Sequence, residues 1–159
     1  MTNDDSLTTL PRASSFLTLY ARCPRGLEAV LGDELRTLGA QRIQLTSGGV
    51  LCCGDWSVVM RANLMSRTAS RILWQLAKAP YKNEKDIYRL AYQIAWPDYF
   101  SAAQSIKVSI DAVHAPLRSV HYVALVVKDA LCDRFRQAGE ARPQVDTRNP
   151  TMRIYCLLY

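Results

Sequence analysis

The sequence contains few of the residues from which metal centres and disulfide frameworks are built. Its 159 residues include two histidines, His114 and His121, and five cysteines that form no Cys-x-x-Cys pair. Structural zinc sites take about four such ligands at short spacing, so we expect no metal. The odd number of cysteines, without framework spacing, predicts buried apolar thiols in a reducing compartment and therefore a cytoplasmic protein.

Long apolar runs are missing as well. No stretch of about 18 apolar residues occurs, so we expect neither a membrane span nor a membrane partner. The opening residues, MTNDDSLTTLPRASS, are polar and acidic, unlike a secretory signal or a transit peptide, and we predict a disordered tail over residues 1–15. Apolar residues nevertheless make up 49% of the chain, which is enough for a core. The net charge of +6 favours a polyanionic partner without proving one.

The first half of the chain predicts six elements in the order βαββαβ. Apolar spacing, a Ser-Gly-Gly turn at residues 47–49 and an N-cap at Asp55 set their bounds. The predicted elements are a strand over 16–22, a helix from Pro24–Glu28 to Gly39, strands over 41–46 and 50–53, a helix from Asp55 to about Leu64, and a strand over 71–78. This order is that of a ferredoxin-like split unit.

A proline-containing joint at residues 79–82 introduces a second predicted unit, of order αβαβ. Asn83 is a good N-cap for its first helix, which Trp96-Pro97 ends. Alternating apolar residues predict a strand over 105–113, and a final apolar strand runs over 152–158. The fold class is therefore α+β. Because the last strand ends at Tyr159 without a turn or a polar stop, we expect a truncated piece of a longer protein.

Residues 117–133, LRSVHYVALVVKDALCD, predict a long amphipathic helix between these two strands. Ser119 is placed to cap its start, and Gly139 to end it at the C′ position. At about 100° per residue, one side is apolar and the other carries His121, Lys128, Cys132 and Arg136. Arg134 falls on the apolar side, where the stem of its side chain would have to reach past the core to water.

Three blocks of the sequence resemble one protein family. They are Ala21 to Leu31 (ARCPRGLEAVL), Met65 to Leu73 (MSRTASRIL), and Leu117 to Asp133 followed by Arg142-Pro143 and Val145-Asp146. With them the chain resembles the N-terminal region of the bacterial 23S rRNA guanine-N2 methyltransferases. The resemblance implies a ferredoxin-like domain over 16–79 and an α/β THUMP domain over 80–159, truncated at its C-terminal strands. Ser119 stands where the family commonly has Asn, and Thr151 where an acidic residue often follows the proline.

What the resemblance implies is that both domains grip ribosomal RNA and present a guanine to a C-terminal methyltransferase domain that uses S-adenosylmethionine. That domain is marked by a Gly-rich loop after a strand and by an Asn/Asp-Pro-Pro-aromatic motif. Neither occurs here, since Gly48-Gly49 is a turn and Asn149-Pro150-Thr151 is a different sequence. We therefore expect no catalytic, cofactor or metal site in this chain, and its partners to be ribosomal RNA and the missing catalytic domain.

The RNA contacts can be argued from residue types. RNA presents phosphates, which attract Lys and Arg, and exposed bases, which stack on aromatic rings. Backbone N–H groups at the start of the long helix could also hold a phosphate. The predicted contacts lie around that helix and its flanking strands and loops: Lys107, Arg118, Ser119, Tyr122, Lys128, Arg142, Arg148 and Arg153. A second set of basic residues is assigned either to RNA or to an interdomain contact: Arg22, Arg25, Arg67 and Arg71.

Structural alternatives stay open for several of these residues. Tyr122 could be a half-buried ring that closes the edge of the core, and Lys128 could form a structural pair with Asp129. Arg67 and Arg71 could pack the two domains together, whereas Arg22 and Arg25 could meet the catalytic domain.

Two other functions also stay open. One is a THUMP module of a tRNA-modifying enzyme. The other, of a different class, is a small acylphosphatase-like hydrolase, which would need an arginine-lined anion loop beside a positioned Asn. The Pro24-Arg25-Gly26 turn supplies only part of such a site.

Overall fold

The computed structural model describes residues 16–113, 115, 117 and 119–159. The predicted tail over 1–15 and the predicted contact Arg118 lie outside the described residues, as does His114. The chain divides into two compact units, one through Leu76 (unit 1) and one from Ala77 (unit 2). Helices and strands alternate in both, and the α+β fold class is confirmed.

Unit 1 has the predicted βαββαβ order. Its elements are β1 (Leu17–Arg22), α1 (Glu28–Thr37), β2 (Gln41–Thr46), β3 (Gly49–Gly54), α2 (Trp56–Met65) and β4 (Arg71–Trp74). The strands form one antiparallel sheet in the order β2-β3-β1-β4, the ferredoxin-like arrangement. The predicted strand over 71–78 is shorter than expected. β4 pairs with β1, and β1 begins at Leu17. The pairing therefore ends with the hydrogen bond from the Gln75 N–H to the Thr18 carbonyl.

Both helices of unit 1 pack on one face of this sheet. Alternate residues of β1, namely Leu17, Leu19 and Ala21, point into a core shared with α1 and α2. Residues in between, such as Tyr20 and Arg22, lie on the face that carries neither α1 nor α2. The predicted N-cap at Asp55 is confirmed, because its carboxylate accepts the Val58 N–H at 3.0 Å.

Unit 2 contains α3 (Glu84–Gln93), a short 3-10 helix (Trp96–Asp98), β5 (Ile106–Ala112), α4 (Val120–Gln137) and β6 (Met152–Leu158). β5 and β6 pair in parallel, and α4 is the crossover between them. The predicted cap at Asn83 is confirmed by bonds from the N–H groups of Lys85 and Asp86. The Tyr88 hydroxyl donates to Asp133 at 2.8 Å and so ties α3 to α4; this bond, followed by burial, raises the pKa of Tyr88 to about 12.

The long helix α4 is buried over a wider stripe than its sequence predicts. Val123, Val127, Leu131 and Phe135 are in the core as expected, but the prediction that Cys132 lies on the polar side is wrong. β5 contacts one side of α4, while α3 and the 3-10 helix contact another, so the buried surface reaches the Cys132 position. Arg134 is half-buried, and its guanidinium donates to the Gln137 side chain.

The described residues contain no helix long and apolar enough to cross a membrane. Within the same part of the chain, no three metal-binding side chains come together.

Candidate nucleic-acid interface

Two cationic side chains lie next to each other on the two parallel strands of unit 2. The register pairs Lys107 of β5 with Arg153 of β6, so both side chains project from the same face of the sheet. The opposite face holds Val108, Ile110 and Cys156 against the helices. Arg153 is exposed, and Lys107 donates to the Thr147 carbonyl at 3.1 Å. Lys107 therefore links this face to the loop that carries Arg148.

That loop, residues 142–151, is fastened to the first residues of β5. The Gln144 carbonyl accepts from Ile106 N–H at 2.8 Å, and Asp146 N–H donates to the Ile106 carbonyl at 3.1 Å. At the far end of the loop, Thr151 N–H donates to the Ser105 hydroxyl. Pro143 is buried, whereas its neighbour Arg142 is exposed. The loop thus has a fixed backbone from which charged side chains extend into water.

Asp146 sets the conformation at the tip of this loop. One of its carboxylate oxygens accepts the N–H groups of Arg148 at 2.8 Å and Asn149 at 3.0 Å. These two bonds, the one from Asn149 first, lower the pKa of Asp146 and keep it ionised at neutral pH. The carboxylate accepts backbone donors, so the backbone of Arg148 is held at a defined position while its side chain stays exposed.

The predicted contacts at the start of α4 lie at the other end of the unit. Ser119 is the N-cap, and its hydroxyl accepts the Tyr122 N–H at 3.3 Å, so that hydroxyl serves the helix. Tyr122 is 55% exposed, so nearly half of its surface is covered, and the alternative of a ring that closes the edge of the core stays open. With 18 residues, α4 is about 27 Å long, so Tyr122 and Arg142 are separated by about a helix length.

Lys128 lies midway along α4 and belongs to neither group. Its side chain is 20% exposed and forms an ion pair with Asp129, as the structural alternative predicted. The structure thus brings Lys107, Arg148 and Arg153 together, with Arg142 at the start of the same loop. It separates them from Ser119 and Tyr122.

The second predicted set lies at one end of the sheet in unit 1. Arg22 is the last residue of β1 and Arg71 the first of β4, and the two are register partners. Arg25 is in the turn after β1, and Arg67 in the connection before β4. Both of the latter side chains are exposed.

Sequence reasoning missed the carboxylates that build these loops. Asp146 and Glu28 fall in the blocks that carry the family resemblance, but the sequence assigns neither a role in a loop, and it assigns none to Glu34. An Asp two residues before an exposed Arg in a proline-containing loop is the pattern of an Asx turn, which could have been recognised. Nothing in the sequence points to Glu34, because the backbone segment it contacts is more than 30 residues away.

The described residues do not fit a S-adenosylmethionine site. Such a cofactor needs close backbone approach at a glycine-rich turn after a parallel strand. None of the seven glycines follows β5 or β6, and the space beside Gly54, which ends β3, is occupied by Val58.

Comparison with known families identifies both units. A family model described as the RlmL ferredoxin-like domain matches residues 18–73. A second, described as the THUMP domain, matches residues 81–159.

Relatives over most of the chain are RNA methyltransferases by name. The "Ribosomal RNA large subunit methyltransferase K/L" of Aeromonas salmonicida is 40% identical over 85% of this chain, which spans 19% of that relative. A "Putative RNA methyltransferase" of Synechocystis is 35% identical over 85% of the chain, which covers 35% of it. In fold, the chain is similar to a "predicted N6-adenine-specific DNA methylase" from Listeria monocytogenes, with a TM-score of 0.79 and 24% identity over 91% of this chain and 38% of that one.

Proposed function

This chain belongs to the family in which an RlmL ferredoxin-like domain is followed by a THUMP domain, and on that premise we propose that it is the RNA-binding region of an S-adenosylmethionine-dependent 23S rRNA (guanine-N2) methyltransferase. It holds ribosomal RNA and positions a guanine for a catalytic domain that supplies the cofactor. The chain spans about a fifth of its Aeromonas relative, at 19%, so the reaction belongs to the whole protein. The five thiols are all free, which supports a cytoplasmic location.

The observation that carries this proposal is the basic surface at the start of β5 and β6. Lys107 and Arg153 are side by side, and the carboxylate of Asp146 fixes the turn that presents Arg148. Arginine presents a planar fork of donors that matches phosphate oxygens. Fixing the backbone before binding reduces the entropy lost when the RNA docks. We name this surface, comprising Lys107, Arg142, Arg148 and Arg153, the β5–β6 basic surface.

Measuring RNA affinity across a salt series tests the proposal. The probe is a labelled 23S rRNA hairpin with a single-stranded loop, and the test variant is the double charge reversal Arg142→Glu with Arg148→Glu. If both arginines contact phosphates, the slope of log affinity against log salt should fall in magnitude by about 1.4 to 1.8, at about 0.7 to 0.9 per contact.

A control elsewhere in unit 2 is the single reversal of Arg89, which is exposed on α3 and forms a weak ion pair with Asp86 at 3.5 Å. Arg89→Glu should leave the slope nearly unchanged. Equal slopes for the β5–β6 variant and wild type would show that this surface does not bind the RNA.

A role in tRNA modification remains the second candidate within the RNA-binding class. The named relatives favour ribosomal RNA, because the relative from Aeromonas carries that substrate in its name. Competition between the 23S hairpin and a tRNA transcript for the same chain distinguishes the two, and we expect the hairpin to win.

The acylphosphatase-like alternative has little support in the geometry. A hydrolase of that kind would need free backbone donors in the loop after β1. In this chain the Gly26 N–H donates to Glu28 at 2.7 Å, and the same carboxylate accepts the Gly48 N–H at 2.9 Å. An internal anion therefore occupies the position that a substrate phosphate would take.

A further inference from the structure

Four arginines are gathered at one end of the sheet in unit 1. Register pairing places Arg22 beside Arg71 on the face of the sheet that carries neither helix of the unit. Arg25 follows in the turn after β1, and Arg67 precedes β4. Ser70 joins the two strand ends, because its N–H and its hydroxyl both bond to the Arg22 carbonyl. We name Arg22, Arg25, Arg67 and Arg71 the arginine end.

The connections that carry Arg25 and Arg67 are held by carboxylates. Glu34 of α1 accepts the Arg67 N–H at 2.7 Å and the Ser66 hydroxyl at 2.6 Å, with a longer bond from Thr68 N–H at 3.3 Å. Burial raises the pKa of Glu34, but these donors outweigh it and leave the pKa below its ordinary value. Glu28 holds the turn after Arg25 in the same manner, through the Gly26 N–H.

This construction repeats that of the β5–β6 basic surface. Asp146 accepts the backbone N–H of Arg148 at 2.8 Å, and Glu34 accepts the backbone N–H of Arg67 at 2.7 Å. In both cases the carboxylate is satisfied by main-chain donors and the guanidinium extends into solvent from a fixed Cα.

We propose that the arginine end is a second RNA contact, which binds the sugar–phosphate backbone of ribosomal RNA. The inference rests on the proposed function and extends it to unit 1. In it, Arg25 and Arg67 contact phosphates directly. Glu28 and Glu34 are positioning residues that act through the backbone of the two loops.

The chemistry of this end favours RNA over a protein partner. The cores of protein–protein interfaces are apolar, whereas the connections here are Pro24–Gly26, Ser47–Gly48 and Ser66–Ser70, nearly all small or polar. Tyr20 of β1 lies so close over Gly49 that a Cβ there would meet its hydroxyl at 2.8 Å. Arginine and an aromatic ring on the sheet face that carries neither helix of the unit are a combination that suits phosphates and bases.

The experiment uses the whole chain, the 23S rRNA hairpin and the same salt series. Arg25→Glu with Arg67→Glu removes the two exposed arginines that lie in the connections of this end and leaves the strand residues Arg22 and Arg71 in place. The matched control, Arg36→Glu with Arg42→Glu, makes the same change in charge at the opposite end of unit 1, where α1 ends and β2 begins. Both control residues are exposed, and Arg36 pairs with its exposed neighbour on the helix, Asp33.

We expect the slope to fall in magnitude by about 1.4 to 1.8 for the arginine-end variant and by much less for the control. Equal binding by these two variants would overturn the inference. The proposed function would survive that result if Arg142→Glu with Arg148→Glu still reduced binding, and would fail if that variant also bound like wild type. Loss of binding to a purified catalytic domain, with RNA binding intact, would show that the arginine end serves a protein contact instead.

Discussion

Replacing Glu34 by alanine tests the claim that a carboxylate builds the loop that carries Arg67. The substitution leaves the Ser66 hydroxyl and the Arg67 N–H, which donate at 2.6 and 2.7 Å, without their acceptor. A hydrogen bond to a charged group contributes about 1.5–3 kcal/mol when it is well shielded, but water can reach the donors once the side chain is gone. We therefore expect a loss of about 2 kcal/mol in the free energy of unfolding of unit 1.

The matched control is the adjacent residue. Asp33 is also an acidic residue of α1, but it pairs with Arg36 at the surface, where the two side chains are 79% and 62% exposed. Exposed pairs of this kind contribute about 0–1 kcal/mol. Native-state hydrogen exchange, followed at the β1 amides of unit 1, measures both variants without interference from unit 2. Equal destabilisation by Glu34→Ala and Asp33→Ala would refute the reasoning.

The pH dependence of stability is a second test of the hydrogen bonds to Glu34. The pKa of Glu34 is lower in the folded chain than in the unfolded chain. Its ionised carboxylate therefore contributes fully to the free energy of unfolding when the pH is above the pKa of the unfolded chain, and this contribution is lost as the pH falls through the pKa of the folded chain. The stability difference between wild type and Glu34→Gln should therefore shrink in acid. A difference that stayed constant down to the acid transition would mean that the carboxylate charge is not involved.

Two further substitutions test the packing of each unit. Phe135→Ala should cost about 3–5 kcal/mol, because this fully buried ring packs against Phe100 at a centroid distance of 5.1 Å, and exchange of the α4 amides measures it. Gly49→Ala should destabilise unit 1 by about 1–3 kcal/mol, since the new Cβ would meet the Ala21 carbonyl oxygen at 2.6 Å. Gly26→Ala is the control, because a Cβ added at Gly26 would meet no atom within 4 Å and would cost only the backbone strain of a φ of +92°. Equal losses of stability in the two variants would contradict the packing argument.

The order of elements was readable from the sequence because its signals are local. Alternation in β1 and β5, the caps at Asp55, Asn83 and Ser119, and the glycine that ends α1 each act within a few residues. Gly39 adopts a φ of +96°, and the Ala40 N–H closes the helix by bonding to the Leu35 carbonyl at 2.9 Å. Such terms depend on the chain near them and little on the rest of the fold.

Predictions failed where a distant element decides the outcome. Cys132 sits on the polar side of α4 by periodicity, yet it is buried because α4 is covered on more than one side. Leu27 and Val30 fit the apolar period of α1 but are 41% and 56% exposed. A one-dimensional pattern indicates which residues share a face, but not how much of the helix circumference other elements cover.

The same distinction applies to the candidate interface. Residue type correctly selected exposed cations such as Arg142, Arg148 and Arg153, since charge predicts exposure. It did not show that Tyr122 and Arg142 are separated by about the length of α4, about 27 Å, because adjacency in a crossover unit depends on which strand ends meet. An RNA that touches both positions must therefore run along the unit, and a short hairpin held at the β5–β6 basic surface need not reach Tyr122.

Acidic residues, which a search for RNA contacts disregards, would make the arginine positions specific under the proposed function. A long basic side chain on a mobile loop would attract the RNA backbone at any position, and ordering the loop on binding would cost much entropy. When Asp146 and Glu34 bind the backbone of the arginine-bearing residue, that cost is met during folding. If this reasoning holds, Asp146→Asn, which keeps an acceptor, should bind RNA more tightly than Asp146→Ala, although both variants gain the same net positive charge. If RNA affinity depended on net charge alone, these two variants would bind equally. Their comparison therefore distinguishes a preorganised site from a merely basic surface.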